Sequence, residues 1–438
     1  MIQHIFKQIW AQRKYNAWIF VELVVIFVLV WVMMDYAFVL LHNKSISQGY
    51  DTSDTYMVTY GMYGEKTSRY NPAEDNSLRN MENLQIFTQK IKEYKYVEVA
   101  DLSSLLWGSL PYSGGFNQTA ILTDTDTTNV FAEVKNMRSA DYFRIFRYSS
   151  ARDNSWERLA HIDVNQNNPI FITRMVERAL YGKESAIGKT IQADIGVGVQ
   201  SYVVADVLND QKRFDYTLPQ GAVFGASPSV AANNITEFAV CLRTEPGISE
   251  QQFISEFRKD MTKQLRIGNF YLKDIQSFQS LKEDMDYVFG MTNEVRLRGA
   301  LMLFFLLNIA LGIIGTFWFR NQTRRSEIGL RMAVGSSRTM LQIQFIVEAL
   351  LLLTIAVIPA IAINLLIVGA DLIKLRMDVM IEYRTVKDAL YIIQNAPLRF
   401  LITNLITYVF LALIVALSAW IPAHRASKTH PVDALRDE

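Results

Sequence analysis

Residues 182–190 read GKESAIGKT, the stretch of this chain that comes nearest to a phosphate-binding loop. In the pattern G-x-x-x-x-G-K-[ST], backbone N–H groups curl around a phosphate, the lysine reaches it and the hydroxyl meets Mg²⁺. Gly182 and Gly188 have five residues between them where the pattern has four. The extra residue alters the curl on which the converging N–H groups depend, just before the helix that should follow. The competing reading is an exposed turn feeding a strand, KTIQADI. No other catalytic constellation is present: no H-E-x-x-H, no G-x-S-x-G and no glycine-rich dinucleotide fingerprint. The five histidines are scattered, and Asp124, Asp126 and Asp141 fall in turn-like, solvated contexts. A single cysteine, Cys241, precludes an intrachain disulfide and a Cys-His zinc cluster.

The elements that would have to position any such chemistry are largely apolar. The chain has 438 residues, 50% of them hydrophobic, and a formal net charge of +1, which gives nucleic acid no electrostatic footing. Four runs reach the length of about 20 apolar residues that a bilayer crossing needs: residues 18–41, 300–319, 343–370 and 400–421. One such run could be a buried core helix; four argue for membrane spans. The first could also be a signal peptide. It is too long, contains Glu22 and Asp35, and is followed by LHNKSIS rather than a small-residue cleavage site, so it reads as an uncleaved anchor. Intramembrane charges mark functional sites by default. Glu22, Asp35 and Glu348 lie close enough to span ends to reach headgroups or water instead.

Lysine and arginine in short loops set orientation. Segment 1–17 holds Lys7, Arg13 and Lys14 with no acid, connection 320–339 holds five arginines with one acid, and the tail 422–438 holds Arg425, Lys428 and Arg436. Connection 371–399 also carries five basic residues, and the N-terminal segment breaks the tie. Both termini are therefore expected in the cytoplasm of a cell with an inner membrane, and segment 42–299 outside it, where a P-loop would find no ATP. Ile2, Ile5, Phe6, Ile9 and Trp10 recur at helical spacing, predicting an interfacial amphipathic helix over 1–17 that rests on membrane lipid.

Segment 42–299 alternates strand and helix patterns. DTYMVTYGM, a helix from SLRNMENL, then YVEVADLSS open it; EFAVCLRT, a helix from SEQQFISEF, then NFYLKDIQSF close it. Between them lie several short strands. The predicted fold class is an α-helical membrane protein with four transmembrane helices and an α+β two-lobed periplasmic domain inserted between helices 1 and 2. Its porter-like lobe covers 42–111 and 216–280, the strand-rich insertion 112–215 and a helical stalk 281–299. The stalk is expected to continue unbroken into the second span.

The connection 320–342 reads RNQTRRSEIGLRMAVGSSRTMLQ. Ile328, Leu330, Met332 and Val334 offer apolar contact, Arg324, Arg325 and Arg331 offer charge and register, and Gly329 and Gly335 permit close approach or a helix stop. That suits docking on a cytoplasmic partner; a merely positive-inside loop would explain the arginines alone. The segment strongly resembles the FtsX-like permease family, with its pattern R-x-x-E-I-G-[IL]-R-x-A-[VL]-G-[AS]: Arg324, Glu327, Ile328, Gly329, Leu330, Arg331, Ala333, Val334 and Gly335 match. The tail IPAHRASKTHPVDALRDE resembles the family ending through Pro422, Ala423, Ala426, Pro431, Ala434, Leu435 and Arg436. FITRMVERALYGKESAIGKTIQ is similar to the periplasmic core of MacB-type members, where the GKT stretch is a structural turn.

The resemblance implies a permease subunit of an ABC-type mechanotransmission transporter, not itself an enzyme. ATP and Mg²⁺ are expected on a separate ATPase subunit, because only 17 residues precede the first span, and no cofactor is expected on this chain. It further implies a permease homodimer or paralogue heterodimer, and efflux of a drug, peptide or other amphiphile through a periplasmic adaptor and an outer-membrane channel. Lipoprotein extraction, and a non-transporting signalling role that activates a periplasmic hydrolase or sensor, are the alternatives.

Overall fold

The computed structural model describes residues 13–105, 108–112, 117–123, 126–226, 235–323, 335–370 and 391–426. The chain divides into two compact units. One is built on Asn43–Thr292; the other combines the residues up to His42 with those from Asn293 onward, apart from Glu382–Asp388.

The unit on Asn43–Thr292 contains a sheet and a barrel. Strands β1 (Thr55–Met62), β2 (Val97–Ser104), β9 (Phe238–Thr244) and β10 (Phe270–Ser277) form an antiparallel sheet in the order β10-β1-β9-β2. Helix α1 (Arg13–Ser45) precedes it; α2 (Ser77–Lys92) joins β1 to β2, and α6 (Glu250–Gln264) joins β9 to β10, each crossover skipping one strand. The cause is legible in the residues. Leu84, Phe87 and Ile91 form one stripe on α2, Phe253, Phe257 and Met261 one on α6, and both are buried with Tyr56, Val58, Val240 and Leu242. Alternation along the strands sends Val99 and Cys241 to the opposite face, where they join Phe143, Phe146 and Phe278. Asn76 and Ser249 cap the two helices, their side chains accepting from Arg79 N at 2.9 Å and Gln252 N at 3.3 Å.

Between β2 and β9 the chain forms a closed barrel, β3-β4-β8-β5-β7-β6. Its strands are β3 (Gln118–Thr123), β4 (Asp126–Met137), β5 (Pro169–Thr173), β6 (Thr190–Asp194), β7 (Val199–Leu208) and β8 (Ala222–Ala226). Short helices α3 (Asp141–Phe146), α4 (Glu157–Ala160) and α5 (Arg174–Tyr181) lie among them in sequence. Closure removes free strand edges, and Ile121, Val134, Ile170, Ile172, Ile191, Val204 and Val223 fill the core. Strand β8 belongs to the barrel, so the insertion extends past residue 215, its expected limit.

Helix α7 (Phe278–Val288) does not run on into the next span. The chain breaks at Gly290, with φ +72°, before α8 (Met291–Thr323) begins. The expected continuous stalk over 281–299 is thus two helices, because glycine takes up the left-handed conformation without steric cost.

The other unit is helical. Among the described residues, four stretches are long and apolar enough to cross a membrane: Ala17–Ser45 in α1, Met291–Thr316 in α8, Thr339–Gly369 in α9 (Arg338–Gly369) and Ala396–Trp420 in α10 (Ala396–Ala426). Of the expected helix over 1–17, residues 13–17 are part of α1 and continue into the span, while 1–12 lie outside the described residues. Phe27, Val30, Trp31, Leu352, Leu353, Ala356, Leu411 and Val415 pack the bundle interior.

Candidate functional site

The GKESAIGKT stretch links helix α5 to strand β6, the reverse of the strand–loop–helix order a phosphate loop requires. Gly182 stops α5 at φ +63° and Gly188 sits at φ +80°, with open space beside both. The loop feeds a strand and presents no helix N-terminus.

Of the expected partner-docking residues, Arg324, Arg325, Glu327, Ile328, Gly329, Leu330, Arg331, Met332, Ala333 and Val334 lie outside the described residues. What is described is their frame: α8 is described as far as Thr323, and Gly335 turns the chain at φ +103° into α9. Among the described residues nothing lies within 4 Å of a Cβ built at Gly335, whose positive φ is the conformation that favours glycine. Ser337 caps α9 by accepting from Met340 N at 3.2 Å. Pro422, Ala423 and Ala426 fall in the final turns of α10, while Pro431, Ala434, Leu435 and Arg436 lie outside the described residues.

The helices of the membrane unit are tied by polar contacts that sequence reading missed. Asp35 on α1 receives a two-pronged bond from Arg399 on α10, whose Nε donates at 2.9 Å and whose Nη2 donates to the other oxygen. A turn away, Trp31 Nε1 donates to Thr403 Oγ1 at 2.9 Å. Asn364 on α9 donates to Asn404 on α10 at 3.0 Å. Thr316 on α8 donates to Glu22 on α1 at 3.2 Å, and Arg298 on α8 lies 4.7 Å from the Tyr36 ring centre while pairing with Glu294 at 2.8 Å. Asp35 and Glu348 are therefore not directed to headgroups or water: they are 3% and 1% exposed. Burying a carboxylate at a span is tolerable when a guanidinium matches both its oxygens.

In the extramembrane unit one short loop, Lys212–Thr217, grips both segments through which the chain leaves and re-enters the spans. On the leaving side, Lys212 Nζ donates to Asn43 O at 2.9 Å, Asn43 Nδ2 donates to Tyr216 O at 2.8 Å, and Gln48 donates to Asp215. On the returning side, Lys282 of α7 pairs with Asp215 at 2.6 Å, and the rings of Phe214 and Phe289 stand 5.2 Å apart. Asp286, one turn beyond Lys282, has its pKa pushed up to about 6, first by burial and then by the Asp215 charge, with Lys282 opposing. Burial lowers Lys212 to about 8. Beside this loop lies a cavity of about 380 Å³ lined by Gln48, Tyr50, Asp54, Tyr112, Glu250 and Lys282, among others. Burial raises the Cys241 thiol to about 12, which makes it a poor nucleophile.

Comparison with known families decides what the helical part is. The profile of the FtsX-like permease C-terminal domain matches residues 299–431, from the start of the second span to just beyond the fourth. Residues 299–431 are an FtsX-like permease domain. A permease domain of this kind is the membrane part of an ABC transporter, and here it embraces the 324–335 connection and most of the tail motif. Three solved structures share some likeness with the chain. The periplasmic region of MacB from Actinobacillus actinomycetemcomitans is 12% identical with a TM-score of 0.30, covering 54% of this chain and 94% of that one. A domain of a protein described as a permease from Porphyromonas gingivalis is 14% identical with a TM-score of 0.29, covering 53% and 98%. The extracellular domain of the noncanonic ABC-type transporter YknZ from Gram-positive bacteria is 15% identical with a TM-score of 0.29, covering 50% and 100%. No curated protein sequence matches this chain. Likeness this low leaves the role of the permease domain to be argued from its residues.

Proposed function

We propose that this chain is the permease subunit of a mechanotransmission exporter, which couples ATP hydrolysis on a separate ATPase subunit to movements of the unit on Asn43–Thr292. Those movements would drive a drug, peptide or other amphiphile out through an adaptor and an outer-membrane channel. The observation that carries this reading is the Lys212–Thr217 loop. It binds the last turn of α1 with the residues just after it, and the helix preceding α8, so displacement of either would reach the sheet-and-barrel unit directly. The bundle interior supports handling of the substrate outside the membrane, since Phe27, Val30, Leu353, Leu411 and Val415 are fully buried there and leave it closed. The ATPase docks on Arg324–Gly335, and both termini are cytoplasmic in this reading. Two subunits form the working unit.

Purification from native membranes in mild detergent, with identification of what travels along, tests the reading. An ATPase together with an adaptor and an outer-membrane channel is the expected result. An ATPase with a periplasmic hydrolase or sensor would replace efflux by signalling; an ATPase with an unlike permease and a lipoprotein carrier would replace it by extraction. Val295→Pro, inside α8, is expected to abolish transport while leaving ATPase assembly intact.

A further inference from the structure

The cavity of about 380 Å³ beside the Lys212–Thr217 loop falls within the range of about 300–1,000 Å³ usual for small-molecule pockets. It has no role in the export reading. Four of its lining side chains carry charge: Asp51, Asp54, Glu250 and Lys282. Two of these are already matched. Asp51 pairs with Arg243 at 3.3 Å, and Lys282 pairs with Asp215 at 2.6 Å. Among the described residues neither Asp54 nor Glu250 has a cation within ion-pair distance. The lining therefore keeps two carboxylates that no basic side chain answers.

Tyr56 on β1 is a second and independent sign. It is 2% exposed, lines the same cavity, and packs its ring 4.4 Å from that of Phe253. Among the described residues its hydroxyl has no hydrogen-bond partner. A buried phenol ordinarily finds one; Tyr112 in the same lining does, its Oη donating to Gln48 Oε1 at 2.8 Å. The Tyr56 hydroxyl is pushed up to about 12, first by burial and then by the charges of Glu250 and Asp54, so both carboxylates bear on it. Glu250 Oε1 accepts from Ser277 Oγ at 2.7 Å, and a carboxylate has lone pairs for about three further bonds. Asp54 and Glu250 are exposed, so a solute reaches them directly.

Three oxygen acceptors left in this way call for a donor. A metal ion is a poor fit, since among the described residues no three His, Cys, Asp or Glu side chains are grouped so as to hold one. An anion would meet two carboxylates, with Lys282 already taken. An ammonium group carries three N–H donors and no acceptor, which matches three oxygens. The rings of Tyr50 and Tyr112, edge to face at 6.1 Å, add an apolar wall whose π-faces attract a cation. We propose that this cavity binds a small organic amine, its ammonium group on Asp54, Glu250 and Tyr56 Oη and its apolar body against Tyr50 and Tyr112. Gln48 and Lys282 line the same cavity and both bond Asp215, so an occupant bears on the loop that holds the connecting segments. The site is independent of the exporter reading, because binding requires neither an ATPase nor an adaptor.

The test is calorimetric titration of the full chain in detergent with phenethylamine, and with its neutral and anionic counterparts phenethyl alcohol and phenylacetate. Phenethylamine is expected to saturate a single site, and the other two to bind at least about tenfold more weakly. Asp54→Asn and Glu250→Gln should each weaken phenethylamine about tenfold, and Tyr56→Phe about three- to tenfold. Glu250→Gln keeps an oxygen for Ser277 Oγ, and the melting temperature of each unliganded variant, expected near that of the parent, checks that the fold is retained. Equal binding of phenethyl alcohol would make the cavity a plain apolar cleft and overturn the ammonium site. Amine binding that none of the three substitutions weakens would lie elsewhere on the chain and overturn the assignment, as would the absence of saturable heat. None of these outcomes touches the exporter reading, which is decided by the proteins that copurify.

Discussion

Two Arg–Asp pairs hold the two units, and they differ in what surrounds them. Arg399 and Asp35 meet inside the helical bundle, with side-chain exposures of 27% and 4%. Arg243 and Asp51 meet in the sheet-and-barrel unit at 3.3 Å, where the arginine is 1% exposed and the aspartate 40%. In the first pair the acid is the buried partner and has no water to fall back on. In the second the arginine is buried, but it spreads its donors over backbone as well, giving bonds to Ile145 O at 2.7 Å and Asp51 O at 2.5 Å. The difference teaches that one chemistry serves two ends. In the bundle it replaces the hydrophobic driving force that helices lack in lipid and sets which helices adjoin. In the other unit it stitches loops to a core that apolar burial already holds.

That contrast can be broken deliberately. The largest expected effect is Arg399→Leu, which strands Asp35 as a buried charge and should cost about 3–5 kcal/mol. It would be read as loss of the monodisperse, heat-resistant fraction of the full chain in detergent. The double variant Asp35→Leu with Arg399→Leu should regain most of that loss, since removing both charges removes the penalty. If the double variant is no better than the single, the pair is not the tie described. Arg243→Met should cost somewhat less, about 2–4 kcal/mol, because hydrated Asp51 tolerates the loss while two backbone carbonyls lose their donor. Thermal unfolding of the full chain, followed by tryptophan fluorescence, would rank the two.

A third expectation concerns Asp286 of α7. Asp286 has its folded-state value raised to about 6, above the ordinary carboxylate value of about 3.9. Between those values the folded state keeps a proton that the unfolded chain has released. The contribution is thus fully present below the unfolded value and is lost as pH rises through about 6. Asp286→Asn should raise the melting temperature at neutral pH and leave it nearly unchanged at pH of about 4; equal shifts at both would contradict the burial argument. The smallest effect belongs to Gly335→Ala. A side chain at φ +103° should cost about 1 kcal/mol. The expected readout is weaker retention of the ATPase at little change in melting temperature.

Much of the secondary structure was legible in the sequence. Strands β1, β2, β9 and β10 and helices α2 and α6 follow from local alternation and from apolar stripes at helical spacing. Strand β8 was not: AVFGA is buried almost throughout, has no alternation, and its partners β4 and β5 are distant in sequence. The break at Gly290 was also missed, because helical patterning continues on both sides and only the backbone conformation shows the stop. The tie between Asp35 and Arg399 spans 364 positions. It leaves no local trace, and a charge near a span end reads equally well as one facing headgroups.

By itself the sequence determined that the chain crosses a membrane and where. Apolar run length is a property of consecutive residues, and so are the two motifs at the span ends. Which spans adjoin, which charges pair, which loop grips both connecting segments and which residues line the cavity beside it were decided only by the tertiary structure. The physical reason is range. A helix or strand forms from neighbours three or four positions away, whereas a buried ion pair or a lined cavity exists only once distant segments have met and displaced solvent between them.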